Sequence, residues 1–470
     1  MLTDFFWPIS GFMALSMGVG IYTYVKVQGS SRRFAVCDKS LPFIVIGTAL
    51  MAQSVDGNST LGAVAATYTG SVWGGLMISA GLALSLVIVG RFLAPRLNDM
   101  NLLTLPDFFG RRYGKPTELL VSLVTILSFT VLIAGNLSAV AWVLSVVSGQ
   151  SYLTSLVIAT LVIVTYTIAG GLYAAVWTDF LQIYVALVGF VAAAAWLIAT
   201  KGFANMVAAA PVATVDFSSV VNRENGALVN WAGLIALAIG NSMALDFMER
   251  VFAARDGRTA RLACYYAAAM TMVIGACVAA IGLAAVSSIK GASDPRMVLP
   301  DVATQMLPHW IGALVLIGVV GAAMSTANGS ILVISVVLTQ NVIQSWLQTR
   351  PADATLLMLA RVVALPTAAA ASLVAFYRPE PGILLIVAFD IVLAGCVVPL
   401  FAGVYWPKAN QAAAIASIVL GGAARIVAHF VTPGPWAGLD TLVPPVLSAV
   451  VFYAVCQFTS KSPIPAVRSA

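Results

Sequence analysis

Apolar residues run through this chain in blocks long enough to cross a bilayer, and the polar residues fall mostly between the blocks rather than along one face of them. Thirteen such blocks occur, near residues 5–25, 41–73, 74–94, 117–148, 152–169, 172–200, 227–249, 262–288, 310–345, 355–376, 380–405, 411–431 and 442–458. A helix of about 20 apolar residues covers the hydrocarbon core, so the pattern predicts an all-α polytopic membrane protein with about 13 transmembrane helices. One block departs from the pattern. The stretch "MAQSVDGNST", residues 51–60, sets Gln53, Ser54, Asp56, Asn58, Ser59 and Thr60 between two apolar runs.

Composition agrees with the membrane reading. With 60% hydrophobic and 9% charged residues, and a mean hydropathy of +0.97, there is too little charge to cover a water-exposed surface. The formal net charge of +6 raises the question of nucleic acid, which the placement of the 24 basic residues answers. Alternate connections collect Lys26, Arg32, Arg33 and Lys39, then Arg91, Arg96, Arg111, Arg112 and Lys115, then Arg250, Arg255, Arg258 and Arg261, then Arg350, Arg361, Lys408, Lys461 and Arg468. The other connections keep Lys201, Arg223, Lys290, Arg296 and Arg378, and Arg425 lies inside a block. By the positive-inside rule the first set is cytoplasmic, with the N-terminus outside, the C-terminus inside, and the inner (cell) membrane as the expected location. The first block follows the uncharged start "MLTDFF" and reads as a retained helix rather than a signal peptide. Nucleic acid is left with nothing to explain. The five cysteines are scattered without metal-type spacing. The tail "TSKSPIPAVRSA" holds no soluble domain, so residues 1–470 read as one transmembrane domain, and neither an enzyme nor an attached signalling module is expected.

Non-helical backbone at membrane depth survives only inside protein or beside a water-filled cavity, because unpaired backbone groups cost several kcal/mol in lipid. Residues 52–58 are therefore expected to line something. A second interruption, Gly240-Asn241-Ser242, falls five blocks later. Matched breaks in two five-helix halves, 41–200 and 227–405, point to an inverted-repeat transporter with its site at the breaks, although small residues also permit plain close packing. A channel would need a continuous polar path, and no charged rings are visible.

The stretches "LTLPDFFGRRYG" (103–114), "GGLYAAVWTDFLQ" (170–182), "ERVFAARDGRTAR" (249–261), "AAMSTANGSI" (322–331) and "GVYWPKANQAAA" (403–414) carry a resemblance to a known family. The chain resembles the sodium:solute symporter family, relatives of the bacterial sodium/proline and sodium/glucose symporters, with a LeuT-type fold. The resemblance implies one leading helix, two inverted repeats of five, and two trailing helices. It implies Na⁺ held by the carbonyls of Ala52, Val55 and Ala322 and the hydroxyls of Ser325 and Thr326. From the residues alone, Ser325 and Thr326 could equally bond back to their own helix. Asp179 lies roughly 12 Å into its helix from Gly171 at 1.5 Å per residue. By the resemblance it lies on the ion's route; by the residues alone it is either functional or the partner of a buried arginine. Members with a second sodium site carry hydroxyls just after the adjacent pair, where this chain has Asn328 and Gly329, so the expected stoichiometry is one Na⁺ per solute.

For the solute, the resemblance places Ser54, Asp56 and Ser59 at the first break, with Asn241 at the opposed one. Asp390 is expected either to face solute or to pair with Arg425, since either charge is costly alone in the membrane. One or two pocket carboxylates favour a small polar, nitrogen-containing solute such as an amino acid, amine or amide. Proton coupling in the same fold, or Na⁺ coupling to a monocarboxylate, are the alternatives. Partners beyond solute and membrane lipid are not expected.

Overall fold

The computed structural model describes residues 3–22, 37–289, 291, 294–347 and 352–459. Of the basic residues used above for topology, Lys26, Arg32, Arg33, Lys290, Arg350, Lys461 and Arg468 lie outside the described residues. Helices α1 (Thr3–Tyr22), α2 (Phe43–Ser54), α3 (Gly57–Thr69) and α4 (Val72–Ile88) come first. A short α5 (Leu105–Tyr113), then α6 (Lys115–Ser148) and α7 (Tyr152–Lys201), complete the first half. The second half holds α8 (Ala227–Ala238), α9 (Leu245–Ala253), α10 (Gly257–Ser288), α11 (His309–Val337), α12 (Asp353–Tyr377), α13 (Pro381–Gly395) and α14 (Val397–Tyr405). Helices α15 (Gln411–Val431) and α16 (Leu439–Thr459) trail.

Among the described residues, eight helices are long and apolar enough to span a membrane, or ten if each of two bent pairs counts as one span. The pairs are Ala227–Met243 with Leu245–Ala253, bent by 45°, and Pro381–Gly395 with Val397–Tyr405, bent by 51°. The count of thirteen is not reached by that measure, and the reason is physical. Block 41–73 is cut into α2 and α3, of 12 and 13 residues, each too short alone. Blocks 152–169 and 172–200 run together as α7 around a kink at Gly171, whose φ of 56° and ψ of −144° belong to a region open essentially to glycine.

Burial orders the bundle. The span His309–Ile343 has 89% of its apolar window buried and forms the centre, whereas Gln411–Val431, at 22%, faces lipid on most sides. An apolar helix of the first kind needs protein on every face. Helix α7 supplies one of these faces by packing Ala186 onto α11, where a Cβ at Gly318 would lie 2.8 Å from the Ala186 Cα.

The two ends of the bundle are closed differently. At the end carrying Lys39, Arg111, Arg112 and Arg255, Leu41 bridges Ala254, with the Leu41 N–H donating to Ala253 at 3.2 Å and the Arg255 N–H to Leu41 at 3.3 Å. Asn98 braces this contact by donating to the carbonyls of Val251 (2.7 Å) and Ala254 (2.9 Å). Arg112, counted above as a loop charge, is instead buried, donating to the carbonyls of Gly403, Trp406 and Pro407 at 3.0–3.1 Å. At the opposite end α3 and α13 meet backbone to backbone, since a Cβ at Gly62 would sit 2.6 Å from the Gly382 Cα. A cavity of about 480 Å³ lies on that side, lined by Gly62 and Gly382 together with Asp294, Arg296 and Glu380. Between these contacts residues 46–64, which include the whole break, are buried.

Replacing Gly171 tests the kink. Gly171→Ala should cost about 1–3 kcal/mol, because alanine is strained in that backbone region. The thermal midpoint of the purified protein in detergent should fall; an unchanged midpoint would mean that α7 runs straight.

Candidate functional site

The first break is built from the outside of a missing helical turn. Helix α2 stops at Ser54, Val55 and Asp56 are extended, and α3 starts at Gly57. A new helix start leaves N–H groups without intrahelical partners. Asp56 meets them: its Oδ1 accepts from the Ser59 N–H at 2.7 Å, while Ser59 Oγ accepts from the Asp56 N–H at 3.0 Å, a reciprocal capping box. Its Oδ2 accepts from Asn58 Nδ2 (3.0 Å) and Asn136 Nδ2 (2.8 Å), and Asn136 Oδ1 accepts from the Gly57 N–H at 3.2 Å. Asp56, expected to meet solute, here has its carboxylate committed to holding α3 in place. Asn136 escaped the sequence reading, although an amide in "LIAGNLSAV" was the signal available.

The end of α2 leaves carbonyls in need of partners. Ala52 finds one across the bundle, where its carbonyl accepts from Thr326 Oγ1 of α11 at 3.3 Å. Two of the five expected ion ligands therefore meet at the break. Ser325, next in line, donates to Asp179 Oδ1 at 2.5 Å. Val55 sits in the break itself and Ala322 on α11 one turn before Ser325, both buried.

Asp179 is wholly buried and forms an ion pair with Arg250, whose Nη2 lies 3.1 Å from Oδ2. This corrects the topology count, which placed Arg250 in a loop: the residue is on α9 with 0% exposure. Its Nη1 also donates to Glu249 Oε2 and to the Asp246 carbonyl, each at 3.2 Å. Asp246, Glu249 and Arg250 fall three and four residues apart in "LDFMERVF", on neighbouring helix faces, which was the legible hint. Gln53 joins the cluster from the last turn of α2. Its amide is best satisfied with oxygen accepting from Arg250 Nη2 (2.9 Å) and nitrogen donating to Asp246 Oδ2 (3.3 Å). Among the described residues, Glu249 Oε1 and Arg250 Nε have no hydrogen-bond partner. Removing one member of such a buried pair costs about 3–5 kcal/mol, because the other charge is left uncompensated.

Beside the first break lies a cavity of about 10 Å³, room for one water-sized group. Ser54, Ser59, Thr60, Ser79 and Thr271 line it among apolar side chains, and Thr271 Oγ1 donates to Ser54 Oγ at 3.1 Å. At the second break Asn241 donates from Nδ2 to Ser85 Oγ at 3.0 Å, and its buried Oδ1 has no partner among the described residues. Asp390 is drawn elsewhere: its Oδ2 accepts from Arg425 and from Thr441 Oγ1 (3.0 Å), and Arg425 also reaches Asp440 at 3.2 Å. Of the two options for Asp390, the structure contains the Arg425 pair.

Two opposed helix breaks, oxygens of α2 and α11 in contact between them, and buried charge alongside describe a carrier core. The family model "Sodium:solute symporter family" matches residues 34–421. The chain belongs to that family. Relatives of this symporter include the sodium/glucose cotransporter of Vibrio parahaemolyticus, 25% identical over 87% of this chain and 82% of that one. The sodium/proline symporter of Escherichia coli (strain K12) is 25% identical over 91% and 87%. The human high affinity choline transporter 1 is 24% identical over 77% and 66%. Among solved structures, a substrate-bound, outward-open Na⁺-coupled sialic acid symporter superposes with a TM-score of 0.80 at 16% identity, covering 99% of both chains. A nucleobase-cation-symport-1 family transporter gives 0.56 at 14%, covering 90% and 95%. The symporter therefore has a LeuT-type fold, spans the membrane many times, and couples transport to Na⁺.

The cap makes its own prediction. Asp56→Ala should destabilise the broken segment by about 1–2 kcal/mol, whereas Asp56→Asn, which still caps, should cost much less. Thermal melts of the two variants check this; equal losses would place the role of Asp56 outside the cap.

Proposed function

We propose that this symporter imports a small polar organic solute, with one Na⁺ per solute, by alternating access around the two breaks. The observation carrying the reading is the meeting of the Ala52 carbonyl with the Thr326 hydroxyl at the first break. A hard cation such as Na⁺ takes oxygen ligands, and a broken helix frees them. The ion ligands are the carbonyls of Ala52, Val55 and Ala322 and the hydroxyls of Ser325 and Thr326, with Asp179 beside them on the ion's way out. Residues 41–200 and 227–405 are the two inverted repeats, each opening with a broken segment. The end bearing Lys39, Arg111 and Arg255 is cytoplasmic, in the inner membrane of the cell.

The solute carries N–H or O–H donors and is nitrogen-containing, of the amino-acid, amine or amide kind. The buried Oδ1 of Asn241 at the second break supports this, since among the described residues it is an acceptor without a donor. Among the relatives, one is named for proline and several for choline, both nitrogenous, and one for glucose. Ser54 and Ser59 face the hydroxyl-lined cavity and belong to the solute side, with Asn241 opposite. Asp56 acts there by fixing the start of α3, and Asp390 by fixing α13 to α15 and α16.

Initial uptake measured across a Na⁺ titration tests the ion site. Ser325→Ala and Thr326→Ala should each weaken apparent Na⁺ affinity about tenfold, roughly 1.4 kcal/mol, with saturating Na⁺ restoring much of the rate. Thr326→Ser should be mild because the ligand oxygen survives. Since ion and solute binding are linked, solute affinity at limiting Na⁺ must fall by the same factor. An unchanged Na⁺ dependence in both alanine variants would remove these hydroxyls from the site. Gly257, read from the sequence as a loop position, is buried against the Pro95 backbone, so orientation is tested at the exposed neighbour: Arg258→Cys should be labelled by an impermeant thiol reagent in inside-out vesicles and not in intact cells.

A further inference from the structure

We infer that Arg250 is a built-in counter-cation for Asp179, which makes the coupling site complete with a single Na⁺. The inference rests on the ion site proposed above. Asp179 lies at membrane depth with no exposure, where a carboxylate without a compensating positive charge is not sustained. Among the described residues its one ion pair is with Arg250. That pair is joined to the proposed Na⁺ site by one side chain, because Ser325 donates to the other oxygen of Asp179. A cation held by Ser325 and Thr326 therefore sits one hydroxyl away from a carboxylate already balanced by the guanidinium.

The sequence makes room for this arrangement on α11. A Cβ at Gly329 would lie 2.9 Å from Arg250 Nη2 and 2.7 Å from the side-chain amide of Gln53. The volume that any larger residue would occupy is filled by the guanidinium and the amide that orients it. Glu249 Oε2 and the Asp246 backbone carbonyl accept from the same guanidinium at 3.2 Å, so its other face is held by α9 itself. Among the described residues Arg250 Nε and Glu249 Oε1 are without partners, so the cluster uses only part of its hydrogen-bonding capacity there. The consequence concerns stoichiometry. With Arg250 in place Asp179 has no charge to offer a second ion; without it, the bare carboxylate beside Ser325 recruits one.

Equilibrium binding of radioactive Na⁺ to the purified full-length protein tests this without knowledge of the solute. The native chain should bind one Na⁺. Arg250→Gln should bind two, with a Na⁺ dependence whose slope rises from one towards two, and Arg250→Lys should return the count to one. Asp179→Asn, which leaves the guanidinium unopposed next to the site, should weaken Na⁺ binding by about tenfold or more. Arg250→Gln/Asp179→Asn should recover near-native affinity at one Na⁺ per chain. That neutral pair decides the matter if Arg250→Gln alone fails to fold, because a purely structural arginine gives no reason for removing a second charge to restore ion affinity. A count of one in a folded Arg250→Gln, or a double variant no better than Asp179→Asn, overturns the inference and leaves the ion site standing. No saturable Na⁺ binding in the native chain would take the ion site down as well.

Discussion

Breaking a helix in the middle of an apolar bundle strands backbone N–H and C=O groups where water cannot reach them, and the core of this symporter is arranged around re-satisfying those groups. Each buried polar group left without a partner costs about 1–3 kcal/mol, so the break at residues 55 and 56 requires partners from several helices at once. On the N–H side they are the Asp56 carboxylate, Ser59 and Asn136 of α6. On the C=O side the Ala52 carbonyl turns to a hydroxyl of α11. The asymmetry has a functional meaning. At the start of α3 the N–H groups of Asp56, Gly57 and Ser59 are taken by side chains; at the end of α2 the Met51 carbonyl accepts from the Val55 N–H at 2.9 Å, while the Ala52 carbonyl accepts from a hydroxyl at 3.3 Å, which a cation can replace.

A second constraint is charge. Four ionisable side chains, Asp179, Asp246, Glu249 and Arg250, are at most 2% exposed and converge near Gln53 and Ser325. Such groups persist in a membrane only when they compensate one another, and clusters of this kind mark ion routes. Here the cluster is contiguous with the proposed ion ligands through one hydroxyl, so changes in either are felt by the other. The Asp390–Arg425 pair is a separate case. It joins α13 to α15, lies against Thr441 and Asp440 of α16, and serves to attach the trailing helices to the bundle.

The closed ends fit a carrier rather than a pore. A backbone contact between Gly62 and Gly382 on one side, and the Leu41–Ala254 bridge braced by Asn98 on the other, leave a cavity near the break large enough only for a water-sized group. Both closures join helices of different halves of the chain, so relative movement of the halves is the motion that would open either one.

The sequence by itself determined the medium, the helical class and the position of both breaks. Long apolar blocks can satisfy their backbone in lipid only as helices, and a polar run inside such a block is intelligible only as an interruption. The motifs from residue 103 to residue 414 brought the family into view, and Ser325, Thr326 and Asp179 stood out because hydroxyls or acids inside a span have few bland explanations. Tertiary structure alone decided which polar residues face each other. Arg250 has the local look of a loop charge, four and five residues before Ala254 and Arg255, and only the packing of α9 against α2 and α11 brings it to Asp179 of α7 as a buried partner. Asp56 has the local look of a pocket acid, and only the approach of Asn136, 80 positions along the chain, completes its use as a cap. Local patterning fixes how a segment satisfies its own backbone; the pairing of side chains depends on distances between segments, which no linear pattern encodes.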